Sequence, residues 1–169
     1  MPPFAIRPAQ RPDCADLLTL IAGLAEYERL THLVTATEDA LAAALFGERP
    51  VAEALIARES GQSGAAVGFA LFFPNFSTFL ARPGLWLEDL FVVPTHRGRG
   101  IGRALLAEVG ALARARGCGR LEWAVLDWNR SAIAFYEGMG ATVMPDWRVA
   151  RVTGPGLSRF GLEDAPGGT

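Results

Sequence analysis

The feature that most constrains this chain is a junction of strand, turn and helix near its middle. An apolar run ends at Val92-Val93-Pro94, and a long segment with helical apolar spacing begins eight residues after Pro94, at Gly102. Between them, glycines stand at alternate positions: Gly98, Gly100 and Gly102. Glycine lets backbone amides turn toward a ligand because no Cβ stands in the way. The following helix adds unpaired N–H groups and a partial positive charge, so the junction can bind a phosphate or pyrophosphate. Three arginines can add charge around its rim: Arg97, Arg99 and Arg103.

Three interpretations of this turn compete. A dinucleotide-binding fingerprint needs a third glycine at position 103, where this chain has arginine. A P-loop needs Gly-Lys-Ser or Gly-Lys-Thr after a four-residue gap, and that sequence is absent. The third interpretation is a structural turn without a ligand. The glycines alone therefore leave the ligand open.

Composition narrows the class of protein. The 169 residues are 50% hydrophobic with a formal net charge of −2, which predicts one globular domain over 1–156 and a tail over 157–169 whose end is disordered. No basic block is present to neutralise phosphates, so we expect no nucleic-acid partner. The two distant cysteines favour neither a disulfide nor a zinc site. Without a signal peptide or a membrane-spanning apolar run, a cytoplasmic location is expected.

The pattern of apolar residues, prolines and glycines predicts a mixed α+β domain in the order β-α-α-β-β-β-α-β-α-β. Thr35 and Glu38 form a capping-box pattern before the second helix, and Gly47 ends it. Asn129 caps the last helix. Strands are expected over 4–7, 52–58, 65–73, 85–93, 120–125 and 147–153, with a loop over 75–84. The other helices are expected over 12–27 and 102–116.

The central motif resembles the acetyl-CoA loop of the GNAT acetyltransferase superfamily, which reads Arg/Gln-x-x-Gly-x-Gly/Ala. The matching segment is Arg97-Gly98-Arg99-Gly100-Ile101-Gly102. Further matches lie at Leu87-Glu88-Asp89-Leu90-Phe91-Val92, at Trp128-Asn129 and at Phe135-Tyr136-Glu137-Gly138-Met139-Gly140-Ala141. The resemblance implies a central, mostly antiparallel, splayed sheet flanked by helices, and acetyl-CoA as co-substrate.

The N-terminal segments narrow the resemblance to the diamine acetyltransferases, the spermidine/spermine and thialysine branch. These segments are Phe4-Ala5-Ile6-Arg7-Pro8-Ala9, Asp13-Cys14 and Ala25-Glu26-Tyr27-Glu28. The likeness covers residues 4–153 and implies a homodimer whose C-terminal elements help line the sites. It breaks at residues 75–84, which lack the acidic residue and the tryptophan of the spermidine/spermine enzymes. That difference favours a thialysine-like amino acid or a short diamine over spermine and spermidine.

The chemistry of amine acetylation needs a proton acceptor and a proton donor. An amine must be neutral to attack a thioester, yet its pKa is about 10.4, so a base is required near pH 7. Glu88 and Asp89 are adjacent on a strand and are expected on opposite faces, so only one would face the amine. By resemblance, Glu88 binds the amine and helps to deprotonate it through a water molecule, and Tyr136 protonates the leaving thiolate.

The resemblance also assigns binding residues. Cofactor contacts are expected from Leu90, Phe91, Val92, Arg97, Gly98, Arg99, Gly100, Ile101, Gly102, Arg103 and Asn129. Substrate contacts are expected from Tyr27, Glu28, Glu88, Asp89 and Trp147, and no metal is expected. His32 and His96 match no catalytic position and are interpreted as surface loop residues. Each assigned side chain also has a structural interpretation: an exposed carboxylate for Glu88, a core residue for Tyr136.

Two functions follow from these motifs. The first is an acetyl-CoA-dependent N-acetyltransferase that acts on a small primary amine by direct transfer. The second is a domain that holds acetyl-CoA as a sensor or scaffold without turnover. Within the enzyme class, a peptide N-terminus or an aminoglycoside is the alternative acceptor. Because Glu88 and Tyr136 are both present, the sequence favours the enzyme.

Overall fold

The computed structural model describes residues 3–61 and 64–159, which fall into two compact units, Met1–Trp123 and Ala124–Thr169. Each unit is described by itself. The expected disorder of residues 165–169 lies outside the described residues, and the single domain over 1–156 stays a prediction. None of the described helices has the length and apolar character needed to cross a membrane.

The first unit is built on a five-stranded sheet in the order β1-β2-β3-β4-β5. The strands are β1 Phe4–Pro8, β2 Glu53–Glu59, β3 Ala66–Ser77, β4 Arg82–Val92 and β5 Leu121–Glu122. The first four are antiparallel to their neighbours, and β5 runs parallel to β4. The predicted α+β class with a mostly antiparallel sheet is confirmed.

Three helices cover the two faces of this sheet: α1 Cys14–Glu28, α2 Glu38–Phe46 and α3 Ile101–Ala115. Leucines of α1 and α2 pack with Phe69 of β3 in one buried cluster. The adjacent residue, Gly68, faces α3, since a Cβ added there would lie 3.4 Å from Leu105. Successive strand residues point to opposite faces, so α1 and α2 cover one face and α3 the other.

The second unit contains the helices α4 Arg130–Gly138 and α5 Pro155–Ser158. Asn129 caps α4 as predicted, because its side chain accepts a hydrogen bond from the Ala132 N–H at 3.2 Å. The strand predicted over 147–153 is wrong. A strand needs a partner for its backbone N–H and C=O groups, and the described part of this unit, residues 124–159, contains no other strand to supply one.

Three predictions in the first unit also need correction. The loop over 75–84 is mostly strand: β3 continues to Ser77, because Pro74 lies beyond Phe72, the last residue that pairs with β2, and so interrupts no β2–β3 bond. The α2 cap is Thr37 instead of Thr35, and it accepts from the Ala40 N–H at 3.2 Å. The strand predicted over 120–125 is confined to β5, because among these six described residues only Leu121 and Glu122 pair with β4.

Candidate active site

The glycine turn has the backbone that its sequence predicts. Gly98 has φ +74° and Gly100 has φ +82°, backbone conformations that residues with a Cβ rarely adopt. A Cβ built on either glycine would meet nothing within 4 Å in the described structure. Glycine is therefore required here by backbone conformation, and the space over the turn is open to a ligand.

The N-terminus of α3 follows this turn directly. Gly100 is the N-cap and offers no side-chain acceptor, and the Ala104 N–H is the first to bond back into the helix, to the Gly100 carbonyl at 3.0 Å. The N–H groups of Ile101, Gly102 and Arg103 precede that first bond and have no partner within the helix. Together with the helix dipole they suit an anion such as a pyrophosphate.

His96 anchors the turn to the sheet. Its Nε2 lies 2.8 Å from Glu59 Oε1 at the end of β2, and its Nδ1 lies 2.9 Å from Thr95 Oγ1. The His96 side chain is 19% exposed, so it lies at the surface but is partly buried by this contact. This contact could not be predicted from sequence patterns because 37 residues separate its two partners.

One edge of β4 is open beside the turn. Its pairing with β5 ends at Trp86, whereas its pairing with β3 continues to Val92. Within residues 3–61 and 64–123, no strand covers the other edge of Leu90, Phe91 and Val92. An uncovered strand edge can form hydrogen bonds with the amides of a ligand. Phe91 is 5% exposed and its side chain belongs to the core, so only its backbone is available to a ligand.

A β-bulge interrupts β4 at Glu88. Leu71 pairs with Asp89 and the next residue, Phe72, pairs with Leu87, which leaves Glu88 without an opposite residue. A bulge bends its strand and re-aims the side chains around it. The Glu88 carboxylate is exposed and accepts a hydrogen bond from Trp86 Nε1 at 2.8 Å. Sequence reasoning missed Trp86, although its spacing of two residues from Glu88 on a strand is the pattern that brings them to one face.

The bulge brings two carboxylates into one cavity. Glu88 and Asp89 both line a cavity of about 370 Å³, together with Glu28 from the end of α1. The expectation that Glu88 and Asp89 face opposite sides is wrong here, because the bulge breaks the alternation of the strand. The remaining walls come from α1 and the segment after it: Ile21, Leu24, Ala25, Leu30, Leu33, Val34, Thr35 and Ala36.

The electrostatics of this cavity favour a cation. Burial, and then the charges of Glu88 and Glu28, raise the pKa of Asp89 to about 6. Burial also raises the pKa of Glu28. Within residues 3–61 and 64–123, none of the three carboxylates makes an ion pair with arginine or histidine. An ammonium group would relieve their mutual repulsion, and Asp89 can exchange a proton near neutral pH.

Tyr27, the neighbour of Glu28, contacts the glycine turn. Its ring lies under the Arg97 guanidinium, with 4.4 Å from Cζ to the ring centroid. Tyr27 is not among the residues that line the cavity. Its assignment as a substrate contact stays a prediction, and its observed partner in the turn was not foreseen.

The other assigned residues belong to the second unit. Tyr136 lies on α4, is 9% exposed, and its ring centroid is 5.2 Å from that of Phe135. Asn129 caps the same helix, which fits the structural part of its predicted double role. Trp147 is 74% exposed in a segment without regular structure. Among the described residues, no group of three or more histidine, cysteine or acidic side chains is arranged to hold a metal ion.

Known proteins resemble this chain in both sequence and fold. Residues 17–141 match the profile of the Acetyltransferase (GNAT) family. The chain is 40% identical over 160 residues to a thialysine N-epsilon-acetyltransferase of Bos taurus, covering 90% of this chain and 94% of that one. It is 36% identical over 194 residues to an L-ornithine N5-acetyltransferase of Arabidopsis thaliana, covering 90% and 85%.

Solved structures give the same result. An integron cassette protein from Vibrio cholerae superimposes with a TM-score of 0.75 at 28% identity, covering 92% of this chain and 96% of that one. An aminoglycoside acetyltransferase from a soil metagenome also gives 0.75, over 89% and 96%, but at 15% identity it shows the fold alone. The family match spans the glycine turn, the open strand edge and the acidic cavity. The chain therefore belongs to the GNAT acetyltransferase family and is an N-acetyltransferase.

Proposed function

We propose that this enzyme transfers an acetyl group directly from acetyl-CoA to a primary amine of a small cationic molecule, either a thialysine-like amino acid or a short diamine. The cavity lined by Glu28, Glu88 and Asp89 carries the proposal. Two charges 4 Å apart interact by about 4 kcal/mol at an effective dielectric constant of 20, so three unpaired carboxylates attract an ammonium group strongly. The apolar wall from Ile21 to Ala36 suits the methylene chain of such an amine.

The donor is proposed to bind along the strand and turn next to this cavity. The pyrophosphate of acetyl-CoA would accept from the N–H groups at the start of α3, and its pantetheine arm would pair with the open edge of β4 at Leu90–Val92. Arg99 and Arg103 add positive charge at the rim of the turn. Asn129 is proposed to contact the same arm.

The proton transfers follow from the carboxylates. Glu88, directly or through one water, takes the proton of the bound ammonium, and Asp89 holds the amine beside it. The amine nitrogen then bonds to the thioester carbon while the carbon–sulfur bond breaks, and its second proton passes to solvent as the amide forms. The departing thiolate receives its proton from the Tyr136 hydroxyl, which regains a proton from solvent. The products are an N-acetyl amine and CoA.

The names of similar enzymes and the lack of acidic side chains in residues 75–84 both support a short amine as the acceptor. The similar enzymes are named for thialysine and L-ornithine, which are amino acids with a terminal primary amine. Residues 75–84 carry no acidic side chain that could bind the far end of a long polyamine. Both observations favour a short acceptor.

A homodimer is proposed because the second unit exposes apolar side chains that a partner would cover. Trp147 is 74% exposed and Val149 is 66% exposed, and both lie in the unpaired segment that the sequence predicts as a strand. A second copy could supply the strand partner that this segment lacks. Light scattering is expected to give twice the 18.1 kDa mass of the chain, and a Trp147→Ser variant is expected to shift the equilibrium toward the monomer.

Release of CoA thiol tests the function. The amine panel contains thialysine, ornithine, lysine, putrescine, spermidine, spermine, an aminoglycoside and a short peptide. We expect turnover with thialysine, ornithine or putrescine and much less with spermine. Putrescine is ornithine without its carboxylate, so this pair shows which acceptor class the acidic cavity prefers. Acetyl-CoA binding without turnover on any amine would contradict the proposal.

A Tyr136→Phe variant tests the proton donor separately. Removal of the hydroxyl is expected to lower kcat about 10²-fold, the lower end of the range for general acid catalysis. Undiminished turnover across the pH range would remove Tyr136 from the mechanism. An unchanged circular dichroism spectrum serves as the folding control.

A further inference from the structure

Arg97 makes more contacts within the protein than an arginine needs if its only role is to attract a phosphate. Its Nε donates to the Val92 carbonyl at 3.1 Å, at the end of the strand edge assigned to the pantetheine arm. Its Cζ lies 4.4 Å from the centroid of the Tyr27 ring and 5.8 Å from that of Phe91. One guanidinium therefore touches the glycine turn, β4 and the last turn of α1.

Tyr27, the aromatic partner of Arg97, lies in the last turn of α1, whose geometry sets the position of Glu28 in the cavity wall. It directly precedes Glu28, which lines the cavity, and α1 ends one residue later at Arg29, whose φ is +62°. The body of α1 is fixed against β4, since a Cβ added to Gly23 would lie 3.2 Å from the Phe91 ring. Within its last turn no basic side chain offsets Glu26 and Glu28 near the negative end of the helix dipole, and the nearest cation in sequence is the C-cap, Arg29. The Arg97 guanidinium supplies a positive charge at that end.

We propose that Arg97 is a positioning residue that joins the donor turn to the acceptor cavity by stacking on Tyr27 and so holding Glu28 in place. This inference rests on the proposed function. It separates Arg97 from Arg99, whose guanidinium reaches only the Thr95 carbonyl of its own turn, at 3.3 Å among the described contacts. A planar guanidinium can stack and donate at once, which an ammonium cannot do in the same way.

The variant that tests this is Arg97→Gln. The GNAT motif accepts glutamine at this position, so the turn and its affinity for acetyl-CoA are expected to be kept, while the stacking cation is lost. Cation–π contacts at exposed sites correspond to about a two- to fivefold effect, so the KM for the amine should rise by that factor. The matched control is Arg99→Gln, which should weaken acetyl-CoA binding about twofold and leave the amine KM unchanged.

Variants of Tyr27 complete the experiment. Tyr27→Phe keeps the aromatic face and should keep the amine KM closer to that of the wild type than Tyr27→Leu, which removes the face. In a double-mutant cycle, Arg97→Gln combined with Tyr27→Leu should raise KM no more than the larger single change, because both remove one contact. Multiplying effects, equal effects of Phe and Leu, or a loss of acetyl-CoA affinity without a change in amine KM would each overturn the inference.

Amine binding to the CoA-bound protein, measured by calorimetry, separates this inference from the proposed function. If the wild type binds amines but releases no thiol, the proposed function fails and the same variants still test the role of Arg97 through the amine Kd. If the wild type binds no amine of the panel, both fail.

Discussion

Two carboxylate clusters lie at opposite ends of α1, and they are built in opposite ways. At the N-terminal end, Asp13 is buried and accepts from Arg7 at 2.7 and 2.8 Å, from Arg58 at 2.7 Å and from the Gln10 N–H at 2.7 Å. At the C-terminal end, Glu28 shares a cavity with Glu88 and Asp89, and no cation pairs with them within residues 3–61 and 64–123.

The pKa values follow this difference. Hydrogen bonds from Arg7, and also from Arg58, hold the pKa of Asp13 far below its usual range, even though burial acts in the other direction. Burial and like charges raise the pKa of Asp89 to about 6. The helix dipole favours an acid at the first end and disfavours one at the second. Paired carboxylates therefore stabilise the fold, whereas unpaired ones leave binding energy for a cationic substrate.

Removal of a cavity carboxylate is expected to cause the largest loss of activity. Glu88→Gln keeps the shape of the side chain but removes the base, so kcat/KM should fall about 10²–10⁴-fold. The thermal midpoint should hardly change, because Glu88 is exposed and unpaired with any cation of its unit. Steady-state kinetics with the best amine of the panel measure the loss, and Glu108→Gln on the exposed face of α3 is the control.

The opposite result is expected at the other end of α1. Asp13→Asn should lower the free energy of unfolding by about 2–4 kcal/mol, because it leaves two guanidinium groups without their buried partner. Urea denaturation at pH 7 measures this. The matched control is Asp16→Asn, whose side chain is 46% exposed although it also pairs with Arg58, and which should cost less than about 1 kcal/mol. Equal losses in the two variants would contradict the distinction between buried and exposed pairing.

The pH dependence of Asp13 has a definite sign. Its folded-state pKa lies below its unfolded value, so its stabilisation is present above the ordinary carboxyl pKa of 3.8 and is lost as the pH falls through the folded value. Asp13→Asn should therefore flatten the acid limb of the stability curve.

Asp89 should show the reverse dependence on pH. Its folded-state pKa of about 6 exceeds the ordinary 3.8, so the folded protein binds the proton more tightly and loses stability as the pH rises from about 4 to about 6. Without substrate, Asp89→Asn should be more stable than the wild type above pH 6 by up to about 3 kcal/mol, and the difference should vanish near pH 4. Denaturation curves across this range measure it, and a constant difference would contradict the assignment.

Glu28→Gln should give the smallest change in stability. Removal of a negative charge from the C-terminal turn of α1 should stabilise the protein by about 0.3–1 kcal/mol. The amine KM should rise at the same time, because one carboxylate of the cavity is lost. A variant that gains stability and keeps its amine KM would place Glu28 outside the acceptor site.

Features that depend only on neighbouring residues were predicted correctly from the sequence. The positive φ of Gly98 and Gly100, the start of α3 and the cap at Asn129 all depend on residues within a few positions of one another. The predictions failed for features that depend on contacts between residues far apart in sequence. The bulge at Glu88 arises from how β3 and β4 pair, and the contacts of Arg97 with Tyr27 and of His96 with Glu59 join separate parts of the chain.

The strand predicted over 147–153 shows the same limit. Its alternation of apolar and polar residues is that of a strand, but alternation supplies no partner. By contrast, the choice of Glu88 as a site residue depended on a family motif, which already carries long-range information. The roles of Glu88 and Tyr136 remain predictions for the experiments above.

The bulge in β4 also has a consequence for protein engineering. Because Glu88 has no opposite residue in β3, its side chain can be exchanged without altering the register of either strand. The position is thus one at which selection, natural or directed, can vary reactivity while the scaffold stays constant. Deletion of the same residue would instead remove the bulge, so that Leu87 and Asp89 become neighbours in a regular ladder opposite Phe72 and Leu71.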